Sequence, residues 1–228
     1  MPKQMETLME NKYLIIDNLL NEKQIMKILN GNFTYHDKLS SRRTLLREWK
    51  GLESLPTNLH YVVLKDGRID INLPKMIYEN FINENKILRH FNFESEGRIF
   101  KNEVSSFNAT EGRIFKVVFV NLLINPEHNN KKQDFHQDNS SIPCDNYYTI
   151  LIPLTDDENM GKTEIIVPYT YNFPKNQNVI TPDIKIGSGL CFSGCLWHRG
   201  TPNKSNYPRI CLYVIVSTTE DNLFENWV

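Results

Sequence analysis

The sequence predicts a mainly β domain with flanking helices, and three observations predict it. Apolar runs rich in β-branched and aromatic residues dominate from Phe115 onward: FKVVFVNLLIN (115–125), NYYTILIPL (146–154) and RICLYVIVS (209–217). Runs of that kind bounded by polar turns read as strands. Helical spacing is confined to the part of the chain before residue 92. A length of 228 residues is usual for a single all-β barrel or sandwich. We therefore expect one domain over 1–228, with 1–95 as a buttress of helix and strand and 96–220 as the β core.

Composition excludes several classes. The 26 Lys and Arg balance 27 Asp and Glu, for a net charge of −1. Such a chain has no basic field to attract a phosphate backbone, so no nucleic-acid partner is expected. No apolar run reaches the length of a membrane span, so no membrane partner is expected. The opening MPKQMETLMENK is polar and lacks the apolar stretch of a secretory signal. The four cysteines, Cys144, Cys191, Cys195 and Cys211, do not have the spacing of a small disulfide scaffold. The cytoplasm is the expected compartment. Cys191 and Cys195 form a C-x3-C step with too few partners for zinc, and are expected as buried free thiols.

In chain order, Tyr13–Ile16 reads as a short strand. Asn21 suits a helix N-cap, Gln24 completes a capping box, and Ile25, Ile28 and Leu29 keep helical spacing. Adjacent Arg42 and Arg43 read either as an anion-gripping patch or as a solvated loop. Residues 52–59 read as helical, Tyr61–Leu64 as β, and Asp66-Gly67 as a hairpin turn. Pro74 opens a helical pattern over 74–91, where His90 reads as a helix-end residue rather than a ligand. EGRIFK occurs at 96–101 and again at 111–116. Two copies do not make a repeat architecture, and they read as two similar strand starts. Asn121 interrupts the apolar run of 115–125, either as a core amide satisfied by backbone or as a group pointing at a ligand. His128 lies in the polar loop 125–132 with no partner at ligand spacing. An acidic turn separates 146–154 from a strand at 163–167. Gly187 and Gly189 suit a tight turn before the strand that leads to His198.

Two stretches carry the chemistry. The first is Phe135-His136-Gln137-Asp138, and the second is WHRGTPNKSNYPR (197–209). In an H-x-D step on a strand both side chains share a face, so His136 and Asp138 can grip one ion. Two His and one carboxylate form the facial triad of non-haem Fe(II) oxygenases, which leaves coordination positions open. Arg209 lies 11 residues after His198 (209−198). That is too far for a ligand on the same strand. It suits the next antiparallel strand, where a guanidinium fork can hold a carboxylate.

His136-x-Asp138, a distant His198 and then Arg209 resemble the Fe(II)- and 2-oxoglutarate-dependent oxygenases. WHRGTPNKSNYPR is similar to the last motif of the phytanoyl-CoA dioxygenase-like branch, in which His-x-Gly, Asn, Ser and Arg follow at about this spacing. The strand and helix over 13–30 resemble the entry of that branch. The resemblance implies a double-stranded β-helix (jelly roll, cupin-like). It implies Fe(2+) on His136, Asp138 and His198, 2-oxoglutarate with its far carboxylate on Arg209, and O2 at the last position. YYTILIPLTDDENMGKTEIIVP (147–168) has the rhythm of the wider family, and by that likeness Thr163 faces the co-substrate. Its other reading is an ordinary β-former. Asn121 lies near where the branch has a Gln that contacts 2-oxoglutarate. The usual Pro-Gly-Ser-His is here Pro168-Tyr169-Thr170-Tyr171, a departure at the substrate mouth.

Family chemistry oxidises 2-oxoglutarate to succinate and CO2 and attacks an unactivated C–H. Halogenating relatives carry a small residue where this chain has Asp138, which implies hydroxylation or a related oxidation. A small-molecule substrate is expected, either an amino acid or a natural-product intermediate. A hydroxylase of a protein residue, a jelly-roll binding protein without turnover and a metal enzyme that does not use 2-oxoglutarate stay open on sequence alone. Arg209 speaks against the last.

Overall fold

The computed structural model describes residues 11–32, 60–73, 93–95, 98–100, 115–138 and 146–217, and single positions at 50, 53, 78 and 87. The expected helices over 52–59 and 74–91, together with Arg42, Arg43 and His90, fall almost wholly outside these residues. The chain is mainly β. β1 (Tyr13–Ile16), β2 (Tyr61–Val63), β3 (Ile69–Leu73), β6 (Lys116–Asn125), β7 (Tyr147–Pro153), β10 (Gly189–Ser193) and β12 (Arg209–Ser217) form a seven-stranded sheet in the order β1-β10-β7-β12-β6-β3-β2. β8 (Thr163–Ile166), β9 (Val179–Ile180) and β11 (His198–Gly200) form a three-stranded sheet in the order β11-β8-β9. β4 (Phe93–Ser95) and β5 (Arg98–Phe100) pair with each other. All the named pairings are antiparallel.

Both faces of the large sheet are used. On one face Leu14, Ile16, Ile71, Val120, Leu122, Ile124, Ile150, Ile152, Ile210, Leu212 and Val214 join the main core. The helix α1 (Glu22–Asn32) packs into that core through Ile25, Ile28 and Leu29, each essentially inaccessible. Their burial contributes roughly 1.5–3 kcal/mol per side chain, which outweighs the roughly 1 kcal/mol that Gly31 costs near the helix end. The capping box forms: Gln24 N–H donates to Asn21 Oδ1 (2.9 Å) and Asn21 N–H to Gln24 Oε1 (3.0 Å). On the other face Leu151, Leu190 and Phe192 meet Ile165 and Leu196, so an apolar layer joins the large sheet to the small one. Strand alternation sends Asn121, Leu123 and Asn125 of β6, and Arg209, Cys211 and Tyr213 of β12, toward this second face.

The stretch 1–95, expected as a buttress, supplies β1, β2 and β3, three of the seven strands. β2 and β3 are joined through the expected turn, with Gly67 at φ 83° and Leu64 N–H bonded to Arg68 O at 2.8 Å. The cysteine expectation needs correcting. Cys191 and Cys211 are buried and free, but Cys195 is disulfide-bonded. It sits in the turn after β10, off the strand faces where a thiol packs as a hydrophobe. Among the described residues no helix is long and apolar enough to cross a membrane.

The turn before β10 ties the sheet to α1. Leu20 N–H donates to Gly187 O (2.9 Å), and Gly187 N–H to Pro153 O (3.0 Å). Gly187 has φ 73°, and a Cβ there would collide with the Leu20 carbonyl. Gly187→Ala is expected to cost roughly 1–3 kcal/mol or more through the left-handed backbone alone. Exposed Lys175→Ala should stay within about 0.5 kcal/mol of wild type. Urea unfolding of both variants checks this.

Candidate metal centre

The site begins with one backbone contact. His136 and His198, 62 residues apart (198−136), form an antiparallel bridge. Each N–H donates to the other's carbonyl at 3.0 Å. Residues facing each other in such a pair project to the same side, and the two imidazoles lie 4.4 Å apart between centroids. The neighbours on either side, Phe135 and Trp197, project to the opposite face. Phe173 packs on both there, and the Arg199 guanidinium sits 3.8 Å over the Phe135 ring. Arg199 is itself held by Glu164 at 2.7 Å. Gln137 adds a latch, donating from Nε2 to the carbonyl of Cys195.

Backbone carbonyls orient both rings. His136 Nδ1 is 3.0 Å from Asp134 O, and His198 Nδ1 is 2.9 Å from Leu196 O. A Nδ1–H donated to a carbonyl leaves the Nε2 lone pair for a metal. Both Nε2 atoms face Asp138 Oδ1, at 3.8 Å from His136 and 3.3 Å from His198. The other oxygen, Oδ2, accepts hydrogen bonds from Thr149 Oγ1 (2.6 Å) and Tyr213 OH (3.0 Å). Burial alone would raise the Asp138 carboxyl, but His198, the Thr149 hydrogen bond and His136 bring it down to about 2. It is therefore an anion at neutral pH. Burial disfavours a charged His198, yet the adjoining Asp138 overrides it and raises its pKa. Burial and then the charge of His198 lower His136. Burial also lifts Tyr213 well above the ordinary phenol range, so it stays a donor.

This donor set fits a divalent cation. Two lone pairs and one anionic oxygen converge within 4.8 Å of one another, and without a positive charge among them they repel. Among the described residues this is the one group of metal-ligand type. The His136 side chain is 38% exposed and that of His198 is 6%, so the centre opens on the His136 side.

A cavity of about 150 Å³ adjoins the three residues and also touches Thr163, Arg209, Arg68 and Asp70. Arg209 starts β12, the next strand in the chain after β11, as its spacing suggests, and that strand lies in the large sheet. The chain crosses between the sheets through 201–208, and Arg209 Nη2 donates back across to Thr163 Oγ1 at 3.0 Å. Asn203 fixes that crossing, its Nδ2 donating to the carbonyls of Asn125, Pro126 and Tyr207 at 2.8–3.0 Å. Ser205 Oγ donates to Tyr207 O at 2.6 Å. The Asn and Ser of the terminal motif are loop staples here.

No protein-family model and no curated protein matches the chain. Solved structures do. AviO1 from Streptomyces viridochromogenes Tue57 gives a TM-score of 0.63 at 11% identity, over 94% of this chain and 93% of that one. The non-heme alpha-ketoglutarate-dependent epimerase SnoN from nogalamycin biosynthesis gives 0.61 at 11%, over 94% and 82%. It has also been solved with Fe3+, alpha ketoglutarate and nogalamycin RO. A 2OG-Fe(II) oxygenase-family oxidoreductase from Burkholderia pseudomallei gives 0.58 at 11%, over 95% and 89%. The chain has the fold of these non-haem oxygenases. At such identity the likeness is one of fold, and the site must stand on its own geometry.

On this oxygenase fold, His136, Asp138, His198, Thr163 and Arg209 all meet at one cavity. Asn121 is one step removed: its Nδ2 donates to Asp70 Oδ1 (2.9 Å), and Asp70 is the residue at the cavity wall. Asn121 Oδ1 is buried without a partner. Burial raises the Asp70 carboxyl, against the Asn121 hydrogen bond and nearby Arg68. The sequence reading missed Arg68, which Asp66 holds at 2.7 Å through Nε. It also missed Asp70, Thr149 and Tyr213. The signal was available in RIDINL (68–73), where polar and apolar residues alternate.

Substitution tests the ligand set directly. His198→Ala should remove the single Co(II) site measured by equilibrium dialysis, whereas His128→Ala should keep it. His128 is exposed in the loop after β6. Equal losses in both would refute the assignment.

Proposed function

We propose that this protein is an Fe(II)- and 2-oxoglutarate-dependent oxygenase acting on an unactivated C–H of a small molecule, with His136, Asp138 and His198 as the iron ligands. One observation carries the reading beyond a metal site. Arg209 is 8% exposed, and among the described residues its one side-chain hydrogen bond is to Thr163 and it forms no ion pair. A buried guanidinium without an anion is costly, and this one faces the same cavity as the three metal ligands. A ligand that chelates a metal at one end and carries a carboxylate at the other satisfies both. 2-Oxoglutarate is such a molecule.

On this reading Arg209 and Thr163 grip the far carboxylate, and Arg68 adds a second positive group to the wall. Asn121 acts on the pocket through Asp70. When bound, iron and 2-oxoglutarate supply the oxidising power for C–H cleavage, with succinate and CO2 released. The chain's own residues orient the co-substrate and hold it away from bulk water. We read the two facing sheets as a double-stranded β-helix and the chain as one domain. The WHRGTPNKSNYPR motif supports placement near the phytanoyl-CoA dioxygenase-like branch. Similar solved structures include the epimerase SnoN and the carbocyclase SnoK, both from nogalamycin biosynthesis. They favour a natural-product intermediate as substrate, and they leave the outcome of C–H cleavage to the substrate pocket. Asp138, as an anionic ligand, favours oxygenation over halogenation.

Succinate release from 2-oxoglutarate by the Fe(II)-loaded protein, across a panel of amino acids and natural-product intermediates, tests the activity. Removing one partner of a buried charge pair costs roughly 2–5 kcal/mol, or about one to four decades at about 1.4 kcal/mol each. Arg209→Ala should therefore raise the 2-oxoglutarate concentration needed by about one to four decades while the metal affinity changes little. An unchanged requirement would exclude Arg209 as the carboxylate anchor.

A further inference from the structure

We propose that Thr149 and Tyr213 are positioning residues that hold Asp138 as a one-oxygen metal ligand and so keep a coordination position free for the co-substrate. The inference rests on the metal-centre reading above and extends it to residues outside the ligand set.

A carboxylate facing a divalent cation can bind through one oxygen or both. In this site the two oxygens have different surroundings. Oδ1 faces Nε2 of His198 at 3.3 Å and of His136 at 3.8 Å. Oδ2 accepts two hydroxyl hydrogen bonds, at 2.6 Å from Thr149 and 3.0 Å from Tyr213. The hydroxyls themselves lie 3.4 Å apart, so they close on Oδ2 together.

The donors stand on the most firmly held part of the fold. Thr149 is on β7 and Tyr213 on β12, neighbouring strands in the middle of the large sheet, with Thr149 paired to Ile215 and Tyr213 to Leu151. Thr149 is wholly buried. Asp138, by contrast, lies two residues beyond the His136 bridge and belongs to no strand. Its backbone leaves the carboxylate free to turn, and the two hydroxyls fix it.

The consequence follows from counting positions. On a six-coordinate metal, two imidazoles and one carboxylate oxygen would take three positions. A chelating 2-oxo acid would take two more and leave one. If Oδ2 also bound, nothing would remain once the 2-oxo acid was seated, and the 2-oxo acid would compete with Asp138 for its own place. Bonds that orient a ligand from outside the metal typically change metal affinity by about ten- to a hundredfold when removed.

The test uses full-length protein with Co(II) as the probe metal. Co(II) affinity, the visible Co(II) spectrum and calorimetric 2-oxoglutarate binding are compared for wild type, Tyr213→Phe, Thr149→Val, Thr149→Ser and Tyr213→Phe/Thr149→Val. Circular dichroism establishes folding. The double variant should bind 2-oxoglutarate at least about tenfold more weakly and show a changed Co(II) spectrum. Thr149→Ser, which keeps the hydroxyl, should behave as wild type. Should the double variant not fold, the contrast between Thr149→Val and Thr149→Ser decides. Wild-type spectra and affinities in both Thr149→Val and Tyr213→Phe would overturn the proposal. So would equal losses in Thr149→Ser and Thr149→Val, which would mean packing rather than a hydrogen bond. If wild type itself binds no Co(II), the metal-centre reading has failed. If wild type binds and the variants match it, only this proposal has failed.

Discussion

The structure depends on the pair of backbone hydrogen bonds between His136 and His198. Each is an ordinary N–H to carbonyl bond of 3.0 Å, contributing about 1 kcal/mol net. Their importance is geometric. They bring together residues 62 positions apart and set both imidazoles on one face. Asp138 follows two residues after His136, and the sheets supply what holds it. The small sheet carries His198 through β11, and β7 and β12 of the large sheet carry the hydroxyls on Asp138. The apolar layer of Leu151, Leu190, Phe192, Ile165 and Leu196 keeps the two sheets at the spacing the site needs.

The large sheet has two faces with different duties. One buries Val120, Leu122, Ile124, Leu212 and Val214 in the main core, and the other presents Arg209, Tyr213 and Thr149 to the cavity or its margin. Strand alternation makes this possible without a polar residue entering the main core. The buried polar groups on the inner face are mostly partnered. Arg209 is the exception that matters, because it is buried and forms no ion pair among the described residues. On the proposed function, that guanidinium would meet the far carboxylate of a chelating dianion, since it lines the same cavity as His136, Asp138 and His198.

Much of this was legible in the sequence. The H-x-D step and the later His gave the three candidate donors that the fold brings together, because strand period and ligand type are local properties. The capping box at Asn21 and Gln24 and the turn at Asp66-Gly67 were readable for the same reason. Arg209 lies on the next strand, as its spacing suggested; that this strand belongs to the other sheet depends on the crossing through 201–208, which spacing does not show. Thr149 and Tyr213 were missed though each interrupts an apolar strand, the same signal that singled out Asn121. Which interruption meets Asp138 depends on register between strands more than 60 residues apart (213−149), and no local pattern encodes that. The alternation of RIDINL put Arg68 and Asp70 on one face, but that this face meets the cavity depends on the pairing of β3 with β6. The disulfide state of Cys195 depends on distances that spacing does not show.

The claim that one cavity joins a metal to a carboxylate anchor is tested most directly by titrating wild type with 2-oxoglutarate in a calorimeter, with and without Mn(II), under nitrogen. The account predicts one 2-oxoglutarate per chain in the presence of Mn(II) and far weaker binding in its absence, because chelation and the Arg209 pairing act on the same molecule. Equal binding with and without the metal, or no binding in either case, would contradict it.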